Sequence, residues 1–176
     1  RQLGDAATAD ALYRDAYGKS IELLGESHPE TQYVASLIAE LFSASQAFEE
    51  AKSMRNSITE NYESEMGVAH SLTMASRVSE VDSMINAGDS GGAKKLLALV
   101  CGTYTKYYSA YHLKTLECQV RLARFNREAG RLGEAEKLLM STAQNLADST
   151  NGISEFAIRI EVDLADIYWE RGEYQA

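Results

Sequence analysis

A step of 42 residues recurs through this chain and leaves few folds open to it. Gly88 is followed five residues later by Ala93. One step on stand Gly130 and Ala135, one step back Gln46 and Ala51, two steps back Gly4 and Ala9, and Gly172 holds the last turn position. Other columns keep the period: Ala39, Val81, Ala123 and Ala165 lie seven residues before each turn, and Leu12, Met54, Leu96 and Leu138 three after each turn alanine. Two apolar helical patterns fit between successive turns, so each unit is predicted to be a helix hairpin. Small alanines let paired helices approach closely, and the turn glycine supplies the permissive backbone that ends a first helix. A single proline, Pro29, and abundant Ala, Leu, Glu, Lys and Arg favour helix over strand. The expected class is all-α.

The three histidines, His28, His70 and His112, keep the same spacing. Equivalent positions on successive hairpins lie on the order of 10 Å apart, given interaxial distances of 8–10 Å. Zinc ligands converge at about 2.0–2.1 Å, so the three cannot share one metal, and no cofactor is expected. His28 precedes proline, which pushes it out of helical backbone and into a loop or cap. His70 and His112 are read as the same position without the proline.

Composition narrows the partners. Seventeen basic against twenty-six acidic side chains give a net charge of -9, which opposes docking on nucleic acid or an anionic membrane. The longest uncharged apolar run, Leu96–Cys101, falls far short of the ~20 residues a membrane span needs. Cys101 and Cys118 each sit in an apolar helical pattern and are expected to be reduced, which places the chain inside the cell, in the cytoplasm.

The string GDSGG, Gly88–Gly92, matches the signature around the serine of trypsin-like proteases. His70, Asp82 and Ser90 even occur in the protease order, but His70 and Asp82 would share one helix about 18 Å apart at 1.5 Å per residue. Asp89 and Ser90 are better read as residues that cap the following helix. Phosphate-loop, dinucleotide, metalloprotease and CxxC motifs are absent from the sequence, and no enzymatic role is expected.

The hairpin Leu24–Ala51, LGESHPETQYVASLIAELFSASQAFEEA, resembles the 42-residue tetratricopeptide repeat of the kinesin light chain type. Its marks are Leu24, Gly25, His28 and Pro29, then Ile38, Ala39, Leu41 and Phe42, then Phe48, Glu50 and Ala51, with Gln46 where that family has glycine. The third hairpin repeats the pattern in Leu122–Phe125 and Gly130–Leu139, the fourth in Leu164–Ala176, and the second departs from it at Glu80 and Ser90. The resemblance implies a right-handed α-solenoid of antiparallel hairpins, about 3.5 to 4 repeats, as one domain over residues 1–176: a half repeat at 1–25, hairpins at 28–65, 68–107 and 110–148, and a truncated one at 153–176.

It also implies that the first helix of each hairpin lines a concave groove. By that register the lining residues are Tyr33, Ser36, Glu40 and Ser43; Ala75, Val78, Asp82 and Ile85; Glu117, Val120, Arg124 and Arg127; and Arg159, Val162, Asp166 and Trp169. Arg124, Arg127 and Arg159 would suit an acidic peptide, since arginine captures carboxylates in a bidentate fork. The alternative is that they pair internally, Arg124 with Glu128 or Glu117. Trp169 fits either a ligand anchor or a packing contact. Glu40, Asp82, Arg124 and Asp166 occupy the column where some members carry a carboxylate-clamping asparagine, which argues against that clamp. Neither end reads as capped, so a longer array or end-to-end self-association is expected. The functional expectation is a scaffold or adaptor that binds a peptide or helix in its groove; the alternative is a structural spacer or oligomerisation segment.

Overall fold

The computed structural model describes residues 2–149 and 155–172, with side chains from residue 8 onward. Among them are eight α-helices and no strand: α1 (Gln2–Leu24), α2 (Pro29–Ala44), α3 (Phe48–Met66), α4 (Ser71–Asn86), α5 (Ser90–Tyr108), α6 (Leu113–Glu128), α7 (Leu132–Asp148) and α8 (Glu155–Arg171). The expected start of the truncated hairpin, residues 153–154, and its end, residues 173–176, lie outside the described residues. The chain divides within α5 into two compact units, Arg1–Leu96 and Leu97–Ala176.

The hairpins that begin with α2, α4 and α6 open with the same cap. His28, His70 and His112 hold extended backbone just before α2, α4 and α6, and each Nδ1 accepts from the amide two residues on, Glu30, Leu72 and Lys114. Three residues after each histidine a buried threonine, Thr31, Thr73 or Thr115, donates its hydroxyl to the carbonyl of Gly25, Gly67 or Ser109 at 2.7–2.9 Å. One side chain thus fills an orphan donor of the helix while the other ties its start to the incoming turn. At the GDSGG turn, Asp89 Oδ1 accepts from the Gly92 amide at 2.8 Å, as the cap reading expects. A Cβ at Gly92 would collide with that carboxylate.

In the first unit α1 packs on α2, α2 on α3 and α3 on α4. Ala35, Ile38, Ala39 and Ala51 are almost fully buried there, so the small columns sit where the paired helices meet. A polar layer joins α3 to α4: Thr59 and Ser76 share a hydrogen bond of 2.7 Å, Arg77 pairs with Glu63, and Arg55 Nη1 donates to Ser79 Oγ. Glu80, which replaces an apolar residue of the repeat, is half-buried; desolvation pushes its carboxyl above the usual range, opposed by nearby Arg77 and Lys52.

In the second unit α6 packs on α7, and α8 on both. Its core is Leu116, Val120, Ala123, Ala135, Leu139, Leu146, Phe156, Ile160 and Ile167. Thr142 Oγ1 donates to Gln119 Oε1 across α6 and α7, and Arg171 pairs with Glu136 at 2.8 Å across α7 and α8. The expectation of reduced cysteines is overturned: Cys101 and Cys118, both buried, form a disulfide with Cα atoms 5.4 Å apart. The step of 17 positions from one to the other carries the chain out of α5, through the turn and into α6, so the two positions face each other across neighbouring helices.

Two turn residues carry positive φ without being glycine. Gln46 (φ 64°) stands in the column of Gly88 and Gly130, and Ser109 (φ 96°) in that of Gly25 and Gly67. Left-handed backbone costs an ordinary residue roughly 1–2 kcal/mol, and glycine gives part of that back through its larger unfolded-state entropy. Gln46→Gly and Ser109→Gly are therefore each expected to raise the unfolding free energy by about 0.5–1 kcal/mol in urea titrations followed by circular dichroism. Destabilisation by either would mean that the side chain supplies a contact outweighing the strain.

Candidate peptide-binding cleft

The lining positions separate into two chemically different settings. In the first unit Tyr33, Ser36 and Glu40 from α2 and Ala75 from α4 border one cleft of about 570 Å³. Arg55, Ile58 and Tyr62 of α3 and Ser76 and Ser79 of α4 complete its walls. Tyr33 is 58% exposed and Glu40 is exposed, while the Ser36 hydroxyl turns back to donate to the Tyr33 carbonyl at 2.7 Å. Burial raises the Tyr62 hydroxyl above its ordinary value, so it stays a proton donor throughout the neutral range. Val78 is half-buried, and Asp82 and Ile85 are exposed; none of the three borders the cleft.

Two polar atoms of this cleft's lining residues are buried without a hydrogen-bond partner, Gln32 Oε1 and Arg55 Nε. The orientation of the Gln32 amide is fixed, because its Nε2 donates to the Glu26 carbonyl at 2.6 Å and an oxygen there would face an oxygen. Register reasoning missed both residues. Gln32 lies one residue outside the expected lining column and Arg55 on a second helix, yet Gln32 is polar in a column otherwise filled by Met74, Leu116 and Ile158, which was the available signal.

In the second unit the arginines are engaged. Arg124 Nε donates to both carboxylate oxygens of Asp163, at 3.0 and 2.9 Å. Arg127 reaches Asp166 and, at 3.6 Å, Glu170, while Arg159 pairs with Glu155 at 3.1 Å one turn away on α8. Internal pairing is what the structure shows, but with Asp163 as the partner of Arg124 in place of Glu128 or Glu117. Val120 must be corrected: it is 4% exposed and belongs to the core, so it offers no side chain to a ligand. Val162 and Trp169 are exposed together with Ile158 on α8, and Glu117 pairs with Lys114. A hollow of about 380 Å³ between α7 and α8 is lined chiefly by apolar side chains, Ala143, Leu146, Ile160 and Leu164 among them.

No protein-family model matches the sequence, and no curated protein does. Solved structures do. A kinesin light chain-like protein of Podosopora anserina, described as having nearly identical TPR-like repeats, superposes with a TM-score of 0.77 at 21% identity, over 99% of this chain and 82% of that one, and a substituted form of the same protein gives the same values. BtubC (BKLC) from P. vanneervenii superposes with a TM-score of 0.74 at 14% identity, over 99% of this chain and 69% of that one. The chain has the tetratricopeptide-like repeat fold. No helix among the described residues is long and apolar enough to cross a membrane.

The pairing of Arg124 with Asp163 is the ion pair with most at stake in the second unit, because the Asp163 side chain is only 8% exposed. Arg124→Ala, which leaves that carboxylate buried and uncompensated, is expected to cost about 1–3 kcal/mol in urea unfolding. Arg127→Ala frees Asp166, which is half-exposed, and is expected to cost about 0–1 kcal/mol. Equal losses for the two would show that Asp163 does not depend on its partner.

Proposed function

We propose that this chain is a protein-interaction module of the scaffold or adaptor kind, and that it takes a peptide or short helical segment in the cleft between α2 and α4. The observation that carries the reading is the joining of Tyr33, Ser36, Glu40 and Ala75 into one concavity that also holds buried polar atoms in need of partners. An exposed tyrosine beside a hollow of this size is the usual form of an interface anchor. The module works without catalysis of its own and without a cofactor. His70, the histidine of the protease-like order, uses its Nδ1 to cap α4.

The arginine cluster supports an acidic partner less well than its sequence suggests. A carboxylate arriving at Arg124 or Arg127 would have to displace Asp163 or Asp166. A second contact, with another copy of the chain, is favoured by the exposed apolar face of Ile158, Val162 and Trp169 on α8. The buried disulfide removes the ground for a cytoplasmic address and suits an oxidising compartment.

The test is a peptide-display selection against the whole chain, followed by fluorescence anisotropy of the selected peptides. Tyr33→Glu is expected to weaken binding at least tenfold, about 1.4 kcal/mol, with the circular dichroism spectrum unchanged because Tyr33 is exposed. Ile158→Ser on α8 is expected to leave that binding intact. Peptides that respond to Ile158→Ser and not to Tyr33→Glu would move the site to α8 and contradict the proposal.

A further inference from the structure

Gln32 is an anomaly in an otherwise apolar column. The residues one, two and three repeats on are Met74, Leu116 and Ile158, and of these Met74 and Leu116 are as deeply buried as Gln32, at 0%, 1% and 1% exposure. The fold therefore accepts an apolar side chain at this position. A buried glutamine with one half of its amide unpaired is a poor choice for stability, and a polar residue kept against the local rule points to a ligand. Its unpaired half is an acceptor; the other unpaired buried atom of the same cleft's lining, Arg55 Nε, is a donor. Arg55 cannot turn freely to relieve this, since its Nη1 is committed to Ser79 Oγ.

We propose that Gln32 Oε1 and Arg55 Nε recognise an amide group of the bound segment: the ligand N–H donates to Gln32 and the ligand C=O accepts from Arg55. This rests on the cleft being the binding site and adds the chemistry it selects. A free carboxylate suits the pair poorly, because it offers Arg55 an acceptor but gives Gln32 no donor. An alkyl group leaves both atoms unpaired. Both atoms lie beneath the cleft surface, so the amide enters as lining side chains give way and is desolvated as it does; this makes a mismatched group costly and the site discriminating. The amide can come from an asparagine or glutamine side chain or from the peptide backbone.

The experiment is a titration of the isotope-labelled full chain with acetamide, with N-methylacetamide and, as control, with acetate, following the side-chain N–H signals of Gln32 and Arg55 by heteronuclear NMR. Saturable shifts of both signals by the amides, at least fivefold weaker with acetate, are expected. Preference for acetamide assigns the site to a side-chain carboxamide and preference for N-methylacetamide to a backbone peptide unit. In Gln32→Met, which copies Met74, the response of Arg55 to amides should be lost while the melting temperature stays equal to or above that of the parent. No saturable shift means that solvent alone serves the two atoms, and overturns the assignment. So does an unchanged response in Gln32→Met, or a clear fall in its melting temperature, which would make the bond to the Glu26 carbonyl the reason for the glutamine. Selected peptides that lose affinity with Tyr33→Glu but not with Gln32→Met would sink this inference and leave the cleft reading standing.

Discussion

The close crossing of paired helices at small residues is the constraint on which the rest depends. Ala39 and Ala51 in the first unit, and Ala123 and Ala135 in the second, are at most 1% exposed. At such a crossing there is no room for a larger side chain without pushing the axes apart. Once the axes are fixed, the register of every other column follows, and with it the burial of Ile38, Leu116 and Leu139. The turns only have to deliver the helices to their crossings, which those before α2, α4 and α6 do with a left-handed residue, a histidine cap and a threonine tether.

That economy explains what could be read in advance. Residues at the same phase of the 42-residue step share an environment, so the succession of helices was legible from the spacing, and the cap role of His28, His70 and His112 from that spacing together with Pro29. The threonine column at 31, 73 and 115 was equally periodic and went unread, because a short polar side chain carries no apolar signal. Contacts between hairpins obey a different arithmetic. Arg124 to Asp163 and Arg127 to Asp166 are both separated by 39 positions, three short of one repeat, so partners sought along the same helix gave Arg124 the wrong acids, Glu128 and Glu117. The disulfide was missed for a related reason: two apolar positions flanking a turn look like core in sequence, and only the placement of neighbouring helices brings their sulfurs together.

Site chemistry was least legible. The repeat register chose first-helix positions only, whereas the cleft is walled by a second helix as well, through Arg55, Ile58 and Tyr62. It also counted Val120 as surface, although that side chain packs into the core of the second unit, while Val162 of the same column stays exposed. Charges on a helix face look available until their partners are placed. In the second unit the placed partners neutralise the cluster, while in the first unit the unpaired atoms, Gln32 Oε1 and Arg55 Nε, belong to a cleft of mixed polar and apolar lining.

The most direct test of the central claim, that ligand is held between α2 and α4, is hydrogen–deuterium exchange of the whole chain with and without a saturating selected peptide. Slowed exchange confined to the segments around 29–44 and 71–86, with the facing turn of α3, is expected. Slowed exchange confined to α8, or none at any helix despite saturation, would contradict it.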